Sequence, residues 1–75
     1  MYKRIRDLRE DSDKTQSDVA EDLSMWVNTY RNYESGKREP PFWLMIALAR
    51  YYNVSLDYLA GLIDTPEKLN RFEKK

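Results

Sequence analysis

Residues 23–40 read LSMWVNTYRNYESGKREP. Wound into a helix, this stretch places Tyr30 and Tyr33 on one side and Val27, Asn28, Arg31 and Asn32 on the other. It therefore predicts a helix over residues 28–34 whose tyrosines are sunk in a core while its amides and arginine face outward. Gly36 ends that helix, since glycine takes the left-handed conformation at a helix C-terminus without a Cβ clash. Residues 24–26 leave room only for a tight connection to whatever precedes it.

On the N-terminal side, Ile5 and Leu8 follow Met1 or Tyr2 at helical spacing and predict a first helix over residues 3–11. An Asp-Ser-Asp cluster then favours a turn. Thr15 is placed to cap a second helix, with Asp18 at its third position forming an imperfect capping box and Val19, Ala20 and Leu23 pointing inward. On the C-terminal side, Pro40-Pro41 opens a fourth helix that runs to about residue 52, with prolines expected in the first turn, where no hydrogen bond is lost. Asn53 stops it, Ser55 caps a short helix over residues 56–60, and Gly61 stops that one. Thr65-Pro66-Glu67 predicts a short sixth helix over residues 66–74 with Leu69 and Phe72 on one face. Nothing alternates with period two for long enough to be a strand, so the fold class is all-α.

With 75 residues the chain makes one domain, and a domain of that size buries only about 60% of its unfolded surface. Its 41% hydrophobic and 35% charged composition is that of a folded unit, not of a disordered segment. The absence of cysteine and histidine removes disulfides, thiolate and imidazole chemistry and the usual zinc and haem ligands, so no cofactor, no small-molecule ligand and no catalysis are expected. No segment has the length or apolar character of a signal peptide or membrane span, which predicts a cytoplasmic protein with no membrane partner. Thirteen basic and thirteen acidic residues cancel, but unevenly. Glu10, Asp11, Asp13, Asp18, Glu21 and Asp22 crowd around Lys14, whereas Arg31, Lys37, Arg38 and the cluster of Lys3, Arg4, Arg6 and Arg9 lie elsewhere, a distribution that allows one basic face.

Two short helices joined by a three-residue turn are a helix-turn-helix arrangement. From Ile5 to about Leu62 the chain resembles the Cro/cI-type, or lambda-repressor-like, family through IRDLRE, TQSDVAEDL, NTYRNYESGKREP and ALARYYNVSLDYLAG. The resemblance implies a compact five-helix DNA-binding domain over residues 1–63, with residues 64–75 as a tail. It further implies a homodimer on a pseudo-palindromic, double-stranded operator, with the third helix in the major groove. The outward residues suit that task. Asparagine amides, as in Asn28 and Asn32, pair with adenine, a valine methyl, as in Val27, meets the thymine methyl, and Arg31 suits guanine or phosphate. Gln16 matches the family glutamine that reaches the DNA backbone and braces the reading helix, and Trp26, Thr29, Ser35, Lys37 and Arg38 are the further backbone contacts expected. Two positions depart from the family pattern: Ser24 stands where glycine is common in the turn, and Trp26 where a serine or threonine would cap the third helix.

The fourth helix has only Arg50 charged between residues 42 and 52, so it must bury more than one face. Phe42, Met45, Ala49 and Tyr52 are expected in the core, and Leu44, Leu48 and Tyr51 under neighbouring helices. Trp43 and Ala47, with Leu62, Leu69 and Phe72, are left as a self-association patch. The function that follows is sequence-specific transcriptional regulation, as a repressor acting by occupancy. The rival from another class is a protein-interaction module of the same fold, antitoxin-like or an antirepressor subunit, that uses the surface aromatics.

Overall fold

The computed structural model describes residues 2–64. They form five helices: α1 (Lys3–Asp11), α2 (Gln16–Asp22), α3 (Val27–Ser35), α4 (Phe42–Tyr52) and α5 (Leu56–Leu59). No strand occurs among the described residues, and no helix among them is long and apolar enough to cross a membrane. The expected sixth helix, with Leu69 and Phe72, lies outside the described residues.

The helices end where a residue turns left-handed. Asp13, Ser24, Gly36, Asn53 and Gly61 all have φ between 56° and 85°. After α2 the Ser24 N–H donates to the Glu21 carbonyl and the Met25 N–H to Ala20, which closes the helix and reverses the chain within the short turn. Ser24 thus does the job that glycine would do, at a cost of roughly 1 kcal/mol for its Cβ. At the other end of α2 the capping box is complete: Thr15 Oγ1 accepts from the Asp18 N–H and the Asp18 carboxylate accepts from the Thr15 N–H.

Ile5, Val19, Ala20, Tyr30, Leu44, Met45, Leu48, Ala49 and Leu59 make one core. Helix α2 packs on α3 and α4 on α5, while α1 bridges α3 and α5. Arg4 fastens that bridge. Its Nη1 donates to the carbonyls of Tyr58 and Ile63 at 2.8 and 2.7 Å, and the guanidinium lies 4.1 Å above the Tyr58 ring.

Two expectations for α4 need correction. Both prolines precede the helix: Pro41 is its N-cap, and its carbonyl accepts from the N–H groups of Leu44 and Met45. Pro41 holds the residue before it extended, which keeps the buried Pro40 out of the helix. Phe42, placed in the core by its spacing, is 70% exposed. Helical side chains lean towards the N-terminus, so an aromatic at the first position leans off the end of its own helix. The buried row is instead Leu44, Met45, Leu48 and Ala49, with Tyr51 and Tyr52 half-buried.

Candidate nucleic-acid interface

The candidate interface rests on a buried carboxylate. Glu34, on the inner side of α3, is 4% exposed, and both its oxygens are saturated. Oε2 accepts from Arg9 Nε at 2.8 Å and from the Tyr30 hydroxyl at 2.7 Å. Oε1 accepts from Arg9 Nη2 at 3.1 Å and from Gln16 Nε2 at 2.8 Å. One carboxylate thereby joins α1, α2 and α3. Burial alone would raise the Glu34 pKa, but the hydrogen bonds from Arg9, Tyr30 and Gln16 outweigh it and hold the carboxyl below the ordinary value of 4.5. Burial, with the hydrogen bond to Glu34, pushes the Tyr30 phenol well above its ordinary range, so it remains a donor.

A pH dependence follows from the depressed carboxyl. Its contribution to stability is complete above the unfolded value of 4.5 and vanishes as pH falls below that through the lower folded value. Thermal midpoints measured from pH 7 down to pH 3 should fall on the acid side of 4.5, and less steeply in Glu34→Gln. An identical acid limb in the two proteins would assign it to other carboxylates.

The same network continues outward. Gln16 Oε1 accepts from Arg31 Nε at 3.0 Å, and Arg31 Nη1 donates to Asn28 Oδ1 at 3.3 Å. Asn28 and Arg31 are exposed, whereas Asn32 and Thr29 are half-buried. Val27 is half-buried and packs against the core cluster, so it is less outward than its spacing suggested. It starts α3 beside Met25, and the short turn draws both towards the core. Trp26 is the N-cap of α3 with no capping hydrogen bond, and its side chain is 84% exposed.

Beyond the C-terminus of α3, Gly36 at φ 85° and an Arg38 N–H bond to the Asn32 carbonyl fold the turn back on the helix. Ser35, Lys37 and Arg38 are exposed there, and neither cation has an ion-pair partner among the described residues. The N-terminal basic cluster does not make a basic face. Arg4 points to α5, Arg6 pairs with Glu10, and Arg9 goes inward to Glu34. The acidic block is partly consumed as well, since Asp18 caps α2 while Asp22 accepts from Tyr51 and pairs with Lys14.

Arg9 and Glu34 were overlooked as site residues. Charges on two helices separated by a full helix give no periodic signal of pairing, and only the single acid of α3, one turn beyond Tyr30, hinted at it.

A family model for the helix-turn-helix matches residues 5–59. The chain belongs to the Cro/cI-type helix-turn-helix family. Helix-turn-helix relatives include the uncharacterized HTH-type transcriptional regulator YobD of Bacillus subtilis (strain 168), 38% identical over 89% of this chain and 61% of that one. The HTH-type transcriptional regulator ImmR of the same organism is 36% identical over 88% of this chain and 52% of its own length. The cryptic phage CTXphi transcriptional repressor RstR of Vibrio cholerae is 36% identical over 83% of this chain and 56% of that one. The helix-turn-helix chain therefore spans little more than half the length of the curated relatives it matches.

Proposed function

We propose that this chain is the DNA-reading domain of a cytoplasmic transcriptional repressor and that it places α3 in the major groove of a pseudo-palindromic operator. The observation that carries the reading is the split character of α3. Tyr30 and Glu34 are fully or almost fully buried, while Asn28 and Arg31 stand in solvent with Asn32 at their flank. Exposed Lys37 and Arg38 beyond one end of α3, without an ion-pair partner among the described residues, and Gln16 with its remaining amide hydrogen at the start of α2, suit flanking phosphates. Trp26, Thr29 and Ser35 complete that set. Val27, despite its packing, keeps some surface at the first position of α3, where a methyl contact to thymine is natural.

Selection from a randomised duplex pool tests the reading. An enriched half-site is expected, with log K falling by about 0.9 per phosphate neutralised for each unit of log salt. No enriched motif together with a shallow salt dependence would favour a protein-interaction module, for which the exposed Trp26 indole is the supporting observation.

Two such domains on one operator require contact or close approach, and α4 offers a surface. Trp43 is 58% exposed and Leu62 76%, with Ala47 half-buried on the same row as Trp43 and Arg50. Self-association through Trp43, Ala47 and Leu62 predicts that Trp43→Glu lowers the sedimentation mass at micromolar concentration to that of a monomer. An unchanged mass would remove this surface from consideration.

A further inference from the structure

We infer that Gln16 and Asn28 hold Arg31 as a guanine-reading fork, so that each half-site bears a guanine beneath Arg31. The inference deepens, and rests on, the assignment of α3 to the major groove. Arginine has five N–H donors and no acceptor, so in that groove it recognises only an acceptor pair, which is the O6 and N7 edge of guanine.

The hydrogen bonds made without DNA narrow its options further. Nε is taken by Gln16 Oε1 at 3.0 Å, which removes the side edge of the guanidinium from use. One Nη1 hydrogen goes to Asn28 Oδ1 at 3.3 Å. Three donors remain, one on Nη1 and two on Nη2, enough for each Nη to donate to one of a pair of acceptors. Asn28 lies one turn nearer the N-terminus of α3, so its oxygen draws the guanidinium towards the end of a reading helix that meets base edges. Flanking phosphates are met instead near the cations beyond Gly36.

Gln16 is a positioning residue in this arrangement. Its amide cannot swing freely, because Nε2 is bonded to the buried Glu34 carboxylate at 2.8 Å. That bond fixes which way the amide faces and presents its oxygen to Arg31. The arginine is thus ordered before DNA arrives, which lowers the entropy that a long side chain loses on binding. Asn28, with its oxygen engaged, keeps two amide hydrogens for base acceptors and is less suited to the accept-and-donate pairing that identifies adenine.

Randomised-duplex selection with the full chain and three variants tests the assignment. Arg31→Lys keeps the charge and loses the fork. It should reduce guanine preference at a single half-site position by about tenfold or more, leaving the other positions and the salt slope as in the parent. Arg31→Ala should lose the same position. Gln16→Met retains the side-chain length without the amide, and should weaken preference at that position alone. If the parent enriches a motif that Arg31→Lys reads unchanged, or if Arg31→Ala lowers the salt slope by about 0.9 with the motif intact, Arg31 is a phosphate contact and the inference fails while groove reading stands. If Gln16→Met lowers overall affinity but leaves the guanine preference at that position as in the parent, Gln16 contacts phosphate and is not a positioning residue. If the parent enriches nothing, it is the groove assignment itself that has failed.

Discussion

Glu34→Ala is expected to destabilise the domain by about 3 to 5 kcal/mol, the usual consequence of removing one partner from a buried, hydrogen-bonded ion pair. The loss is large because the alanine removes the acceptor of three groups at once. The Tyr30 hydroxyl is fully enclosed, and Arg9, with a side chain only 13% exposed, keeps only the Lys14 carbonyl and a distant Glu10, while the half-buried Gln16 amide loses its partner too. A domain of this size has a total stability towards the lower end of roughly 5 to 15 kcal/mol, so a substantial unfolded population near 37 °C is expected. At about 4 to 8 °C for each kcal/mol, far-UV circular dichroism should show the thermal midpoint falling by tens of degrees. A double-mutant cycle with Arg9→Met separates the pair from the rest of the network. The double variant, with no stranded charge, should recover part of the loss. A single-variant loss below about 1 kcal/mol would mean that the pair is screened by solvent like a surface bridge.

The balance of forces in this network explains why a core would retain a charge at all. An apolar trio in place of Arg9, Glu34 and Gln16 would pack the three helices with no desolvation to offset. It would also leave Arg31 without its anchor, because Gln16 is oriented by Glu34 and in turn orients Arg31. The carboxylate is therefore the point at which folding and the geometry of the outer face become one problem.

Much of this architecture was open to reading from residue types. The helices, the inward Tyr30, the caps at Thr15 and Ser55 and the stops at Gly36, Asn53 and Gly61 follow from local chemistry, where a side chain acts within a few residues of itself. Left-handed Ser24 was not readable in that way, since a serine, unlike glycine, asparagine or aspartate, enters that region only when closure of the turn compels it. The prolines were misplaced because Pro41 holds Pro40 extended and so delays the start of α4, and Phe42 because spacing gives the rows of a helix but not where its first residue leans. On the outer face, Asn28, Arg31 and Asn32 were picked out by periodicity, but the links from Arg31 to Gln16 and Asn28 depend on how α2 lies against α3. The basic N-terminal cluster misled for the same reason: Arg4, Arg6 and Arg9 are close in sequence, yet point to α5, to Glu10 and to Glu34.

Replacing Asn28, Arg31 and Asn32 together by alanine is expected to lower affinity for a selected operator by about a hundredfold to ten-thousandfold, or roughly 3 to 6 kcal/mol at 1 to 3 kcal/mol for each base contact. The individual losses should not simply sum. Asn28 and Arg31 share a hydrogen bond, so removing either disturbs the other, whereas Asn32 has no such tie to them and should add more independently. Stability should change little, since none of the three is fully buried and the core row of α3 is untouched. Binding to a scrambled duplex at the same salt should fall far less, because the phosphate contacts proposed for Lys37 and Arg38 are left in place and only one positive charge has been removed. The quantity to compare is therefore the ratio of operator to scrambled affinity at fixed salt. The variant should bring that ratio close to one while retaining the parent's circular dichroism spectrum. A folded variant whose ratio equals the parent's would place specificity elsewhere, and the exposed Trp26 at the head of α3 would then be the next residue to change.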